Sequence, residues 1–182
     1  KFYGIMEDYH ESPAAQRERT ARFRALHHSG ETLVLPNAWD GISARIFEVA
    51  RFPAVATTSS GVSFAQGVPD GEHLDPERLL QVVRVMTGLL EVPLTVDIEA
   101  GYSGGDVARL RAFVATLLDA GVVGINLEDG SAATGALRDL AGQQALIRGA
   151  RSAAAEKGLD LFINARTDAQ SMLALLTQHA DY

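Results

Sequence analysis

Short apolar runs alternate with longer amphipathic segments along most of this chain. Five runs rich in β-branched and other apolar residues predict strands at Leu33 to Leu35, Ala54 to Thr58, Leu94 to Ile98, Val122 to Leu127 and Leu161 to Asn164. Polar residues do not alternate within these runs, so we expect both faces of each strand to be buried. Strands that alternate with helices are typical of a parallel sheet in an α/β protein.

The amphipathic segments carry helix-capping signals. Ser12-Pro13 and Asp75-Pro76 each place an N-cap residue before a proline at the first helical position, and Asp106 precedes a segment that ends at Gly121. We predict helices over about residues 13–28, 42–50, 76–90, 107–120 and 141–157. Another helical pattern, SMLALLTQ, follows Asp168.

Five strand–helix units are therefore visible in 182 residues, a length that suits one domain covering residues 1–182. A complete (β/α)8 barrel takes about 250 residues, so a barrel in this chain would lack roughly two or three units. An open, doubly wound sheet of five strands would fit the length without missing residues. A nucleotide-using enzyme on such a sheet would need a glycine fingerprint, whereas LPNAWDG after the first strand offers one glycine.

Composition limits the compartment and the class of partner. The net charge is −7 and the 16 Lys and Arg residues are scattered, so no basic stripe for nucleic acid is present. The chain contains no cysteine, which excludes disulfides, thiolate metal sites and a cysteine nucleophile or acid. No apolar run approaches the roughly 20 residues that cross a bilayer, and the polar start does not read as a secretory signal. We expect a cytoplasmic enzyme with a small-molecule substrate and no nucleic-acid or membrane partner.

Acidic side chains stand at the ends of consecutive predicted strands. Asp97 and Glu99 lie two residues apart in VDIEAGY, and the alternation of a strand would place both on one face. Glu128 ends the next run, and Asp70 in the GVPDGEH loop could close over the group. Carboxylates crowded in this way repel one another unless a cation neutralises them, and hard oxygen ligands favour Mg2+, with Mn2+ as the alternative. The competing interpretation is that each acid only caps a helix or begins a turn.

Candidate substrate-binding residues accompany these acids. Arg166 follows the fifth predicted strand and is suited to gripping a carboxylate or phosphonate, although it could equally pair with a neighbouring acid. Ser59, Ser60 and Gly61 follow the second strand without a bulky side chain, so a loop there would leave backbone amides accessible to a carboxylate or enolate oxygen. Ordinary turns use the same residues. Trp39 could form a pocket wall or merely cover the rim.

Taken in order, LPNAWDGISARI, TTSSGVSFAQGVPDGE, PLTVDIEAGY, GVVGINLEDG and INARTD resemble the isocitrate lyase and phosphoenolpyruvate mutase superfamily over about residues 20–168. The resemblance implies an α/β fold, namely a (β/α)8 TIM barrel that is incomplete in this chain, in a homodimer or homotetramer whose last helix is exchanged between subunits. It also implies Mg2+-dependent lyase or hydrolase chemistry on a carbon–carbon or carbon–phosphorus bond of a small α-oxo or 2-hydroxy carboxylate, through an enolate.

The resemblance also implies roles for the acids. Asp97 resembles the direct metal ligand of the family, and Glu99, Glu128 and Asp70 resemble the residues that hold the metal mostly through water. Asp70 is also the candidate to position or activate a water or to take a proton. In the substrate site, the matching residues are Ser59 or Ser60 with Gly61 for the substrate carboxylate, and Arg166 for direct contact with the substrate.

The chain departs from the family pattern in two segments. Glu99 replaces the aspartate usual in the D-x-D pair, which keeps the charge and adds one methylene. GSAATGALRDLAGQQ, after Glu128, contains neither the K-x-C-G-H motif of the isocitrate and methylisocitrate lyases nor the lysine and asparagine gating residues of the mutases. We therefore do not expect isocitrate lyase activity. The alternative to a lyase or hydrolase is a non-catalytic or phosphonomutase-type member that binds an α-oxo acid or phosphonate.

Overall fold

The computed structural model describes residues 12–130 and 135–169. Its strands are β1 (Asn37–Ala38), β2 (Val55–Thr57), β3 (Leu94–Asp97), β4 (Gly124–Glu128) and β5 (Phe162–Arg166). Its helices are α1 (Pro13–His27), α2 (Gly41–Val49), α3 (Ser59–Ala65), α4 (Pro76–Leu89), α5 (Val107–Asp119) and α6 (Leu140–Glu156). The helix expected in SMLALLTQ lies outside the described residues.

The order of the strands decides between the two architectures. All five pair in parallel, and they follow one another across the sheet in the order β1-β2-β3-β4-β5. A doubly wound sheet reverses its order at a switch point, and this sheet does not reverse. Because parallel crossovers are right-handed, winding in one direction puts the connecting helices on one face. The helices α2, α4, α5 and α6 accordingly contact one another in sequence. The fold is the barrel type, and the doubly wound alternative is wrong.

A hydrophobic core fills the space between the sheet and these helices. Strands β2 and β3 are buried at every position, as the lack of polar alternation predicted. The same prediction is wrong for β5, which is half-buried at its first two residues and exposed from Asn164 to Arg166. The inner stripes of α4 and α5 bury Leu79, Val83, Met86, Leu110, Val114 and Leu117. Helix α6 can pack closely on α5 because Gly149 has no side chain. A Cβ at this position would lie 2.8 Å from Cγ1 of Val107. The predicted caps Ser12, Asp75 and Asp106 are confirmed.

The predicted position of the first strand is wrong. Leu33 to Leu35 precede the ladder, and pairing with β2 begins at Asn37. Pro36 has no amide N–H to donate, and its carbonyl accepts a hydrogen bond from the Ala56 amide at 2.9 Å. The apolar character of this run has another cause, since Leu35 packs against a small cluster around Phe23 beneath the sheet.

Within the described residues, no helix has the length and apolar character needed to cross a bilayer.

Candidate active site

Three carboxylates and one guanidinium meet where adjacent parallel strands end. Strands β3, β4 and β5 end at Asp97, Glu128 and Arg166, and the register pairs Glu128 with Arg166. Nη1 of Arg166 lies 2.6 Å from Oε1 of Glu128 and 3.8 Å from Oδ2 of Asp97. Nη2 of Arg166 donates to Oδ1 of Asp168 at 3.2 Å. One positive charge is thus shared among three negative charges, which we call the Arg166 cluster.

The Arg166 cluster carries excess negative charge. Burial and the charge of Asp97 raise the pKa of Glu128 from its ordinary value of 4.5 to about 8, against the opposing effect of Arg166. Burial likewise raises the pKa of Asp97, although backbone hydrogen bonds and Arg166 oppose the rise. One guanidinium faces three carboxylates, so the cluster does not balance its own charge when all three acids are ionised. The cluster can therefore accept a further cation.

Asp97 connects the cluster to the predicted substrate-binding segment. Its side chain is 7% exposed, and its Oδ1 accepts from the Glu99 amide at 3.0 Å. A backbone hydrogen bond from Ser59 also favours the charged form of this carboxylate and lowers its pKa. The Asp97 amide donates to Oγ1 of Thr57 at 2.9 Å, which fixes the end of β3 against β2. Asp97 is thus rigidly held between the two neighbouring segments.

Glu99 does not reach the site by strand alternation, so that part of the prediction is wrong. Strand β3 ends at Asp97, and Glu99 lies beyond it with a left-handed φ of 51°. Its buried carboxylate accepts hydrogen bonds from the Glu72 amide at 2.6 Å and from the Tyr102 hydroxyl at 2.7 Å. Burial raises the pKa of Glu99, and these two hydrogen bonds oppose the rise. The loop that follows β3, and not the strand itself, orients this side chain.

Asp70 is exposed in the loop that precedes α4, and the fold brings it close to the buried acids. Burial is the main reason why the pKa values of Asp97 and Glu99 are raised, and the negative charge of Asp70 raises both further. The hydrogen bond from the Glu72 amide to Glu99 joins this loop to the buried acids, and the role of Asp70 stays a prediction. Its own neighbour His73 contacts the Asp70 carbonyl oxygen through Nδ1 at 2.9 Å, which makes the loop compact.

The segment expected to form an open loop after β2 is instead the first turn of α3, so that prediction is wrong in form. Ser59, Ser60 and Gly61 follow the N-cap Thr58, whose Oγ1 accepts from the Gly61 amide at 3.4 Å. A Cβ at Gly61 would lie only 3.1 Å from Cβ of Trp39, so glycine permits the tryptophan to back this turn. Trp39 remains 43% exposed at the rim.

A cavity of about 240 Å3 opens beside the Arg166 cluster. It lies between the Gly71–Glu72 loop on one side and Gly130 with residues 135–137 on the other, and Glu128 and Asp168 line it. Leu137 forms an isolated antiparallel bridge with Gly130. The volume suits a small carboxylate better than a large ligand.

Several residues that shape the site were not predicted. Asp129 accepts hydrogen bonds from the Thr167 hydroxyl at 2.7 Å and the Asp168 amide at 2.8 Å, which joins the ends of β4 and β5. Arg138 donates to the carbonyl oxygens of Glu128 at 3.2 Å and Ala100 at 3.3 Å. The signal for Asp129 was its place beside Glu128. Arg138 had no comparable signal, because the two carbonyl oxygens that it joins belong to backbone positions 10 and 38 residues away, and any residue type supplies a carbonyl.

Comparison with known proteins places this arrangement in a family. The family model described as phosphoenolpyruvate phosphomutase matches residues 23–181. The chain belongs to this family. The crystal structure of a putative phosphonomutase from Burkholderia cenocepacia J2315 is 42% identical, with a TM-score of 0.80 over 83% of this chain and 61% of that chain. The predicted superfamily and fold class are thereby confirmed.

Curated relatives of this phosphoenolpyruvate phosphomutase family member are longer than the chain itself. An uncharacterised protein of Mycobacterium tuberculosis is 37% identical over 164 residues, which cover 87% of this chain and 56% of the relative. The 2-methylisocitrate lyase of Bacillus subtilis is 27% identical over 116 residues, 64% of this chain and 38% of the relative. The chain therefore spans about half or less of the length of these relatives. Phosphonopyruvate hydrolase, solved with oxalate and Mg2+, shares the fold at 24% identity and a TM-score of 0.74, over 83% of this chain and 53% of that chain.

The residues present suit a hard divalent cation in their chemistry. Within residues 12–130 and 135–169, no group of three or more acidic, histidine or cysteine side chains is arranged to hold a metal ion. Arg166 lies among the acids, and Glu99 is turned toward Glu72. Carboxylate oxygens are nevertheless the ligands that Mg2+ prefers. The acids therefore match Mg2+ in the chemistry of their oxygen atoms, and the arrangement in which the structure holds them does not form a metal site.

Proposed function

We propose that the protein is a Mg2+-dependent lyase or hydrolase. It would act on a carbon–carbon or carbon–phosphorus bond of a small α-oxo or 2-hydroxy carboxylate through an enolate. The observation that carries this proposal is the Arg166 cluster at the carboxyl ends of adjacent barrel strands, beside a cavity of about 240 Å3. Active sites of barrel enzymes lie at this end of the strands.

The acids divide the work of holding the cation. Asp97 would be the direct ligand because its carboxylate is buried and fixed by backbone hydrogen bonds. Glu99, Glu128 and Asp70 would contribute through water, since Mg2+ retains several waters. When bound, Mg2+, or Mn2+ in its place, would polarise the substrate oxygens and stabilise the negative charge of an enolate.

The remaining candidates would bind and orient the substrate. The guanidinium of Arg166 would hold a substrate carboxylate or phosphonate through its planar fork. Ser59 or Ser60, with the amide of Gly61, would bind a carboxylate oxygen of the substrate from the first turn of α3. Trp39, which lies beside Gly61, would form a wall next to that turn. None of these residues lines the cavity of about 240 Å3. Asp70 would position a water or take a proton from it, because it is exposed to solvent and directly precedes Gly71 and Glu72, which line the cavity.

A second candidate function is a phosphonomutase-type or non-catalytic member that binds an α-oxo acid or phosphonate. The favouring observation is the 42% identity to a putative phosphonomutase structure, which exceeds the identity to the 2-methylisocitrate lyase.

We further propose a cytoplasmic homodimer or homotetramer. An apolar face on α2 supports an oligomer, because Ile42, Ile46 and Val49 are 73%, 59% and 66% exposed.

Oxalate tests the proposal because it mimics the planar enolate of pyruvate. Calorimetry should show oxalate binding that requires Mg2+ and falls at least about 100-fold in Asp97→Ala. Asp160→Ala is the matched control. Asp160 pairs with Arg24 and precedes the start of β5, whereas the site lies at the end of that strand. Oxalate binding that is unaffected by removal of the metal would refute the proposal.

Turnover separates the two candidate functions. The protein should be incubated with oxaloacetate, 2,3-dimethylmalate and phosphonopyruvate in the presence of Mg2+ while pyruvate and the second product are followed. Cleavage of any one substrate supports the lyase or hydrolase. Metal-dependent oxalate binding without cleavage of any of the three favours the binding or mutase-type member.

A further inference from the structure

Backbone conformations that are unusual for side chains concentrate beside the cavity. In the described part of the chain, four residues other than glycine have positive φ, and three of them are Glu72 at 60°, Glu99 at 51° and Tyr102 at 52°. Left-handed φ is unfavourable for L residues, so such residues persist where surrounding contacts hold them. These three come from two separate loops, one before α4 and one after β3, and both loops adjoin the cavity.

Hydrogen bonds join the same three residues into a closed set. The Glu72 amide donates to Oε2 of Glu99 at 2.6 Å, and the Tyr102 hydroxyl donates to Oε1 of Glu99 at 2.7 Å. The Tyr102 amide donates in turn to Oε1 of Glu72 at 2.5 Å. Each residue therefore contacts the other two, and both oxygens of Glu99 are engaged. We call this set the Glu72–Glu99–Tyr102 latch.

The extra methylene of Glu99 has a structural purpose in this latch. An aspartate at position 99 would end about 1.5 Å nearer the backbone, the length of one carbon–carbon bond. Its carboxylate could not reach both the Glu72 amide and the Tyr102 hydroxyl without a shift of the loops. The ring of Tyr102 is itself fixed, because it packs edge-on against Phe113 with centroids 5.6 Å apart.

The latch acts on the loop that carries Asp70. Only Gly71, with a φ of 94°, separates Asp70 from Glu72, and the His73 contact to the Asp70 carbonyl holds these residues in a compact turn. Asp70 itself is exposed, so packing does little to fix it. The hydrogen bonds that fix the amide and the carboxylate of Glu72 therefore also fix the direction in which the Asp70 side chain projects from the turn.

We propose that Glu72 and Tyr102 are positioning residues, which act with Glu99 to hold the loop of residues 70–73 at the cavity mouth and thereby set the position of Asp70 against Asp97. This adds a second role for Glu99, that of loop anchor. The consequence for activity rests on the proposed function, whereas the consequence for loop order does not.

Amide hydrogen exchange of residues 70–73 measures the latch without any substrate or metal. In Tyr102→Phe, which removes the hydroxyl and keeps the ring packing, exchange in this loop should be at least about 10-fold faster, the change expected for loss of one hydrogen bond to a charged group. Glu72→Ala should have a similar effect, because the Tyr102 amide loses its acceptor. Glu72→Gln retains an acceptor oxygen and should remain within about twofold of the wild type.

Thr87→Val is the matched control for deletion of a buried hydroxyl, since Thr87 donates to the Val83 carbonyl inside α4. It should leave exchange at residues 70–73 unchanged. Unchanged exchange in both Tyr102→Phe and Glu72→Ala would overturn the latch. Glu72→Ala keeps the test valid if Tyr102→Phe does not fold.

Mg2+ binding and kinetics then separate positioning from metal ligation. Tyr102→Phe keeps every carboxylate and leaves the proposed direct ligand Asp97 in place, so kcat at saturating Mg2+ should fall about 10-fold even if the displaced Asp70 weakens Mg2+ binding. Glu72→Gln should retain wild-type kcat. A large fall in Mg2+ affinity with kcat unchanged at saturating metal would overturn the positioning role. If the wild type shows no metal-dependent oxalate binding, the proposed function fails, and faster loop exchange in the variants still supports the latch.

Discussion

Replacement of Glu128 with glutamine should make the metal-free protein more stable at alkaline pH. Glu128 is 13% exposed and has a pKa raised from 4.5 to about 8 by burial and by the charge of Asp97. The folded state thus holds this proton more tightly than the unfolded state does. As pH rises from 4.5 to 8, the unfolded chain releases the proton first, so the folded state loses stability through this window and the loss levels off above it.

The size of the effect follows from the shift. The difference between 8 and 4.5 is 3.5 pH units, which corresponds to about 5 kcal/mol at 1.36 kcal/mol per unit. Glutamine also gives up the ion pair with Arg166, although that guanidinium keeps Asp168 and Asp97 as partners. We therefore expect a net gain of roughly 1–3 kcal/mol at pH 8.5, equivalent to about 2–10 °C in Tm for a chain of this size.

Urea unfolding at pH 5.5 and 8.5 without divalent cations measures this prediction. The free energy of unfolding of Glu128→Gln should be clearly higher than that of the wild type at pH 8.5, and the difference should be much smaller at pH 5.5. Addition of Mg2+ should reduce the difference, because the ion stabilises the wild type. Glu77→Gln is the control, because that glutamate pairs with Arg84 on the surface. A Glu128→Gln protein no more stable than the wild type at pH 8.5 would refute the view that the Arg166 cluster carries uncompensated charge.

Four further substitutions test the packing of the fold and the charges of the site. Gly130→Ala should lower kcat/KM about 10-fold, because its Cβ would lie 2.6 Å from Oδ2 of Asp168 and displace that carboxylate; steady-state kinetics measure this. Gly124→Ala should lower the free energy of unfolding in urea by about 1–3 kcal/mol, since its Cβ would lie 2.7 Å from Cε1 of Phe23. Gly88→Ala, at an open position in α4, should raise it by about 0.5–1 kcal/mol. Arg166→Lys should reduce kcat/KM at least 100-fold, as lysine lacks the planar fork, and recovery of full activity in this variant would exclude a bidentate role.

The sequence predicted the elements whose signals are local. The runs that end at Asp97 and Glu128 became strands within two residues of the expected bounds, because buried parallel strands need apolar residues on both faces. The capping signals at Asp75 and Asp106 are equally local and were confirmed. The carboxylates at the strand ends could be placed near one another for the same reason, since adjacent parallel strands end at one edge.

The features that sequence reasoning missed depend on distant contacts or on ambiguous residue types. Alternation applies only within a strand, and β3 ends before Glu99, whose orientation is set by an amide 27 residues away in the chain. Thr58 and the serines after it serve turns and helix starts equally well, so the sequence predicts a loop where α3 begins. Leu33 to Leu35 are apolar because of the cluster around Phe23, a tertiary cause that resembles a strand signal.

Arg138 donates hydrogen bonds to the main-chain oxygens of Glu128, at the end of β4, and of Ala100, in the loop after β3. Its side-chain partner is Gln143. Carbonyl groups are supplied by every residue type, so this attachment tolerates substitution at the positions it grips. Exchange of the side chains at positions 100 and 128 would consequently leave this tie between the end of β4 and the loop after β3 in place.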